Sequence, residues 1–134
     1  MAATLGELRD AIADTLGDAF PDLTVHAYPV DNIAGTTIMV AGFSVDPGTF
    51  SDATARVDAE LLIFVSRRHI DQMRTLDELV SPTGERSIWV AIDTNPTLDD
   101  TVGFAVVQSA GEYRELSIAD VSYYAATVRV SVML

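Results

Sequence analysis

Apolar residues at the start of the chain recur at the spacing of an α-helix. Thr4 and Glu7 stand three residues apart, the spacing of a capping box, in which each side chain accepts a hydrogen bond from a backbone N–H of the other residue. Phe20 precedes a proline, and the residue before a proline is pushed out of the helical region. The pattern therefore predicts an amphipathic helix from Leu5 to Ala19, with an apolar stripe of Leu5, Leu8, Ala11, Ile12 and Leu16.

A period of two dominates the middle and the end of the chain. From Ala53 to Ser66 every second residue is apolar, and the residues between them are polar until Leu62 and Phe64. This pattern predicts a long strand with one face covered by helices and with both faces buried near its end. A final strand from Ser122 to Met133 shows the same alternation, with one face formed by Val128, Val130, Val132 and Leu134.

Shorter patterns complete the prediction. Further strands are predicted at Thr24–Tyr28, Thr36–Phe43 and Thr101–Gln108, helices at Arg67–Val80 and, after Ser87 as N-cap, at Ile88–Asp93, and turns at Asp31–Gly35, Ser44–Ser51 and Ala110–Glu112. The order is α-β-β-β-α-α-β-β, which predicts an α+β protein with a single mixed, mainly antiparallel sheet and helices packed on one face. The other sheet face is then left to solvent, to a ligand or to a partner.

Composition and charge narrow the range of functions. The chain has 134 residues, which predicts a single domain over 1–134, and 49% of them are hydrophobic, as is typical of globular proteins. It carries 20 acidic residues against 8 basic ones, all of them arginine, for a net charge of -12. This excess of carboxylates argues against a surface that grips nucleic acid or an anionic membrane. Neither a signal-peptide pattern nor an apolar run of membrane-spanning length occurs.

The residue types that usually carry chemistry form no recognisable site. Cysteine is absent, which excludes disulfides and thiol catalysis. His26 is interpreted as a partly buried strand residue and His69 as a surface residue early in a helix, and adjacent carboxylates such as Asp99 and Asp100 are interpreted as solvated. No nucleophile elbow or glycine-rich phosphate loop is present. We therefore expect no catalytic residue, no metal site and no cofactor, and we expect a structural or interaction protein rather than an enzyme.

Several weak patterns follow one another in a set order along nearly the whole chain. The series runs from the opening helix through Leu23–Pro29, Ile38–Val40, Glu60–Arg67, Leu76–Ser81 and Ser87–Ile92 to the ending Val121–Val130. The composition is rich in Ala, Asp and Val. In this order and at this length the series resembles the tail terminator, or tail completion, proteins of long non-contractile-tailed bacteriophages, especially those that infect actinobacteria.

The resemblance implies a role in virion assembly. Proteins of that family form a hexameric ring on the end of the tail tube, stop its growth and offer a docking surface to head and neck proteins. The implied partners are other copies of the chain, the major tail tube protein and the head-tail connector or neck proteins. DNA would pass through the ring without specific binding, and no membrane partner is implied. The implied location is the tail-neck junction of a virion assembled in the bacterial cytoplasm. A neck adaptor, a head-closure protein and a small-ligand-binding α+β domain remain alternatives.

Six residues are candidates for contact with a neighbouring subunit or the tail. Phe43, Val45 and Phe50 lie in the segment 42–52, which is long for a hairpin loop and rich in apolar residues. This segment is interpreted either as an arm that buries its aromatic side chains on a neighbour or as a loop that folds back on its own subunit. Arg56, Glu60 and Arg129 lie on polar strand faces and form ion pairs either between subunits or across strands of one subunit.

Overall fold

A computed structural model describes residues 4–30, 35–46, 56–65 and 70–133 of the chain. The helices are α1 (Leu5–Ala19), α2 (Ile70–Val80) and α3 (Ile88–Thr94), and the strands are β1 (Thr24–His26), β2 (Thr37–Asp46), β3 (Arg56–Val65), β4 (Phe104–Ile118) and β5 (Val121–Met133). This order of helices and strands is the predicted one. Some predictions fall outside the described residues. These are most of the turn at Asp31–Gly35, both ends of the strand at Ala53–Ser66 and the start of the helix at Arg67–Val80.

The five strands form one mixed sheet in the order β1-β2-β3-β5-β4. β1 runs parallel to β2, whereas the other neighbouring pairs are antiparallel. The predicted α+β class with a mainly antiparallel sheet is confirmed. β3 and β5 each have one face against the helices, which explains the alternation of apolar and polar residues in their sequences.

The main core lies between one face of the sheet and the helices. Buried side chains from both layers form one cluster, which includes Leu8, Ile12, Leu16, Leu76, Leu79, Ile88 and Ile92 of the helices and Val57, Leu61, Ile63, Val128, Val130 and Val132 of the sheet. α1 begins with the predicted capping box, in which Thr4 and Glu7 satisfy each other's backbone N–H groups. Ser87 caps α3 as predicted, and its side chain accepts from the N–H of Val90.

A second, smaller cluster covers the opposite face at one end of the sheet. It contains Met39, Phe64, Tyr123 and Ala125, with Leu62, Leu116 and Ile118 packed around it. The Phe64 and Tyr123 rings meet edge to face, with their centroids 6.1 Å apart. The sequence prediction that β3 is buried on both faces near its end is therefore confirmed.

The predicted turn at Ala110–Glu112 is wrong, because β4 continues through these residues. Gly111 and Glu112 have φ values of 135° and 55°, and the pairing with β5 shifts between Gly111 and Arg114. These features define a β-bulge, in which an extra residue on one strand allows the ladder to continue beyond it. Sequence patterns do not separate a bulge from a turn, because both use glycine and a left-handed neighbour.

The predicted turn at Ser44–Ser51 also begins too early. β2 extends to Asp46, and Val45 pairs with Val57 on the antiparallel β3. The register of β2 shifts between Val40 and Gly42, so a bulge at Ala41 carries the strand past the point where its alternation breaks.

The hairpin between β4 and β5 offers a test of backbone strain. Ala119 and Asp120 form its two-residue connection with φ values of 51° and 64°, whereas such connections favour Asn-Gly. We expect the double substitution Ala119→Asn and Asp120→Gly to raise the free energy of unfolding by about 1–2 kcal/mol, because left-handed backbone is costly for residues with a Cβ. Urea unfolding measures this change. Ser109→Gly, placed within β4, should lower stability by roughly 0.5–1 kcal/mol, and equal effects of both changes would contradict the strain argument.

Candidate interface surface

The sheet face opposite the helices, called here the open face, bears the residues that alternate with the core. Two rows cross it from β3 through β5 to β4, one of Arg56, Met133 and Phe104 and the next of Asp58, Ser131 and Val106. Phe104, Val106 and Met133 are 51%, 45% and 40% exposed, which is high for large apolar side chains in a sheet. The open face is therefore charged at its centre and apolar toward β4.

The charged centre is held by hydrogen bonds within one chain. Arg56 Nε donates to Asp58 Oδ1 at 3.3 Å and to Ser131 Oγ at 3.0 Å. Arg129 Nη1 donates to Glu112 Oε1 at 2.8 Å. This bond and the charge of Arg129 lower the pKa of Glu112, and the same pair raises the pKa of Arg129. Both guanidinium groups thus have carboxylate partners before any second subunit approaches.

Three of the predicted interface residues meet around one cavity. Glu60 lies opposite Gly42 on β2 and Arg129 on β5, and Phe43 completes the wall on the β2 side. The cavity has a volume of about 330 Å³ and also borders Asp58. The bulge at Ala41 interrupts the pairing of β2 with β3 beside this cavity.

The three apolar candidates have different positions. Phe43 is partly buried and packs against the main core of its own subunit. Val45 lies two residues further along β2 and is 49% exposed. Phe50 lies outside the described residues. Phe43 therefore packs in part on its own chain, and its contact with a neighbouring subunit stays a prediction.

Arg9 organises the region beside Phe43, and sequence reasoning did not single it out. Its Nη1 donates to the carbonyl oxygens of Ala27 at 2.8 Å and Val40 at 2.7 Å. Its guanidinium also lies over the Tyr28 ring, 4.7 Å from the centroid, and over the Phe43 ring at 5.0 Å. The sequence did contain a signal, because Arg9 follows Leu5 by four residues and so lies along the apolar stripe of α1.

Tyr113 ties the bulged part of β4 to α2. Its hydroxyl donates to Asp77 Oδ1 at 2.6 Å, and burial and this carboxylate together raise the pKa of Tyr113. A raised pKa means that the folded state favours the neutral form of Tyr113. The stabilisation from its hydroxyl is therefore fully present below the unfolded pKa of about 10 and is lost as the pH rises through the folded pKa.

We expect Tyr113→Phe to lower the free energy of unfolding by about 1 kcal/mol at neutral pH, because one hydrogen bond to a carboxylate is lost. The difference between the two proteins should shrink above pH ~10, where the unfolded phenol ionises. Denaturant titrations across this range measure it. Tyr124→Phe serves as a second aromatic control in the same ring pair, and a difference that stays constant up to the most alkaline pH would contradict the assignment.

The described residues contain no grouping of three or more His, Asp or Glu side chains with the geometry to hold a metal ion. Within the same residues, none of the helices is both long and apolar enough to cross a bilayer.

No protein-family model matches the chain, and no curated protein matches its sequence. Among solved structures, a chain from the "Virion of native gene transfer agent (GTA) particle" is similar over 95% of this chain and 95% of that chain, with 13% identity and a TM-score of 0.49.

Proposed function

We propose that this chain is a structural protein of a bacteriophage virion, a tail terminator that caps the tail tube as a hexameric ring. In this role it ends tail elongation and presents a docking surface to head and neck proteins. The observation that carries the proposal is the open face, where Phe104, Val106 and Met133 are exposed beside charges already paired within the chain. Such a face suits contact with other proteins, and the resemblance of the sequence supplies the kind of assembly.

The distribution of charge supports a ring through which DNA passes. The helices and their connections, residues 4–22 and 70–103, hold twelve carboxylates and three arginines and so a net charge of -9 out of -12. A surface with so few cations does not hold a phosphate backbone. Six copies, each with a net charge of -12, carry a net charge of -72, so subunits meet most favourably where carboxylates are few or where arginine pairs with carboxylate.

A small-ligand-binding domain is the second candidate, and the observation that favours it is the cavity of about 330 Å³ at Glu60 and Arg129. A neck adaptor or head-closure protein would use the open face as a terminator does, but with a different position and copy number. All three functions therefore differ in what a virion reconstruction would show.

Reconstruction of the neck of the virion that carries this chain tests the proposal. The expected result is a ring of six copies between the tail tube and the head connector, with the gene lying just upstream of a major tail tube gene. Five or twelve copies at this position would overturn the terminator assignment and favour a head-closure or adaptor protein. Virions that lack the chain altogether would favour the ligand-binding domain.

A further inference from the structure

The first half of β4 and the whole of β1, at the two edges of the sheet, contain no Asp, Glu or Arg, although the protein as a whole is strongly acidic. Residues 101–111, which include the first half of β4, contain no Asp, Glu or Arg. At the opposite edge, residues 23–30 with β1 and residues 35–45 with most of β2 contain none either. Two copies of a chain with a net charge of -12 approach most easily through such surfaces, because like charges oppose every other contact.

The β4 edge is concave and apolar. A groove of about 260 Å³ runs between α3 and β4, lined by Trp89 and Val90 of the helix and by Val106 of the strand. Val90 and Val106 are 39% and 45% exposed. Asp93 contributes the one charged side chain among the described residues that line the groove. This groove continues the apolar part of the open face, since Val106 belongs to both.

Leu5 at the start of α1 and Tyr28 just after β1 are exposed apolar side chains, called here the Tyr28 surface. Tyr28 is 56% exposed, the largest exposed fraction among the described aromatic side chains. One face of its ring rests on the Arg9 guanidinium, which is itself fixed by two backbone carbonyls. A ring held in this way loses little conformational freedom on binding, and tyrosine is a frequent anchor of protein interfaces.

We propose that the Tyr28 surface of one copy packs into the α3–β4 groove of the next copy. The two surfaces lie at opposite edges of one sheet, so the contact is head-to-tail, and a head-to-tail contact that closes generates a ring. The contact brings Asp93 of one copy toward Arg9 of the other, while the Glu7 carboxylate on the same turn of α1 is engaged by Thr4. Val45, exposed on the same side of β2 as Phe43, extends the contact. The inference rests on the ring-forming function proposed above.

Cysteine crosslinking tests this contact, because the natural chain contains no cysteine. Tyr28→Cys and Val106→Cys are prepared as two separate proteins whose tags differ in length, so that mixed and self dimers differ in size on a gel. The two proteins are mixed at the highest soluble concentration and treated with a short bismaleimide. The expected product is the mixed dimer, and a chain that carries both Tyr28→Cys and Val106→Cys should give a ladder that ends at six chains. Leu5→Cys replaces Tyr28→Cys in a parallel experiment, since it leaves the stacking on Arg9 intact.

Two controls separate this contact from other contacts. Tyr113→Cys, also exposed but on the α2 side of β4, should give no mixed dimer with Val106→Cys. Adding Val106→Arg to a chain that carries Leu5→Cys and Val90→Cys should remove the ladder, because it places a charge in the groove. Dimers of Val106→Cys with itself alone, or no crosslinked product from any pair, would overturn the proposal.

The outcomes for the contact and for the function are distinguishable. A six-fold ring in the virion, with no crosslink to Val106→Cys from either Tyr28→Cys or Leu5→Cys, overturns the contact and leaves the terminator function. A ladder that ends at six chains, with the chain absent from the tail end of the virion, overturns the function and leaves the contact.

Discussion

We expect Leu61→Ala to lower the free energy of unfolding by about 2–5 kcal/mol, the range found when a fully buried leucine is truncated to alanine. Leu61 lies on the central strand β3, pairs with Val40 and Val128 on its two sides and is 0% exposed. Its side chain is enclosed by strands and helices, so little can move into the space that the substitution leaves. Urea unfolding followed by circular dichroism measures the change.

Ile12→Ala tests the same core from the helix side and should cost a similar amount, since Ile12 of α1 is also 0% exposed. Val106→Ala is the matched control, because it removes an apolar side chain from an exposed strand position. Its effect should stay within about 0.5 kcal/mol. Unchanged midpoints for both core variants would mean that the register of the helices on the sheet differs from the one described here.

We expect Arg9→Ala to lower the free energy of unfolding by roughly 2–4 kcal/mol. The substitution removes hydrogen bonds from a charged donor to the carbonyl oxygens of Ala27 and Val40, each worth about 1.5–3 kcal/mol. It also removes the cation from between the Tyr28 and Phe43 rings. The loss should be seen in thermal and urea unfolding, together with quenching or shift of the tyrosine signal.

Arg9→Lys distinguishes geometry from charge. Lysine keeps the positive charge but lacks the planar guanidinium group, which here contacts two rings and donates to two carbonyl oxygens, so we expect it to restore less than half of the lost stability. Arg74→Ala, at an exposed position on α2, removes an arginine from the helix layer and should change stability by about 0.5 kcal/mol or less. Equal effects of Arg9→Ala and Arg74→Ala would refute the assigned role of Arg9.

Local sequence patterns predicted an element correctly where a single physical rule determines it. The bounds of α1 follow from a capping box at one end and a proline at the other, and both ends are where the pattern predicts them. The alternation of β3 and β5 arises because each strand has one face against the helices. These features depend on neighbours within a few residues, which is why they can be read without the fold.

Elements that depend on strand pairing could not be predicted in this way. β4 continues through Gly111 and Glu112 because Arg114 finds a partner on β5 and the ladder resumes beyond the bulge. β2 likewise extends to Asp46 because β3 pairs with it that far. A local pattern registers only the interruption, whereas the partner strand supplies the hydrogen bonds that favour continued strand over turn.

The candidate interface surface was likewise predicted only in part from the sequence. By itself, the sequence determined that the chain forms an acidic α+β domain with a helix-covered sheet and lacks the motifs of common catalytic sites, since composition and periodicity express burial and charge directly. Only the tertiary structure decided that Phe43 packs in part on its own core, that Arg9 contacts the Tyr28 and Phe43 rings, and that Tyr28 and Val106 lie at opposite edges of one sheet. Sheet order and register decide these positions, because they bring together residues that are far apart in the chain.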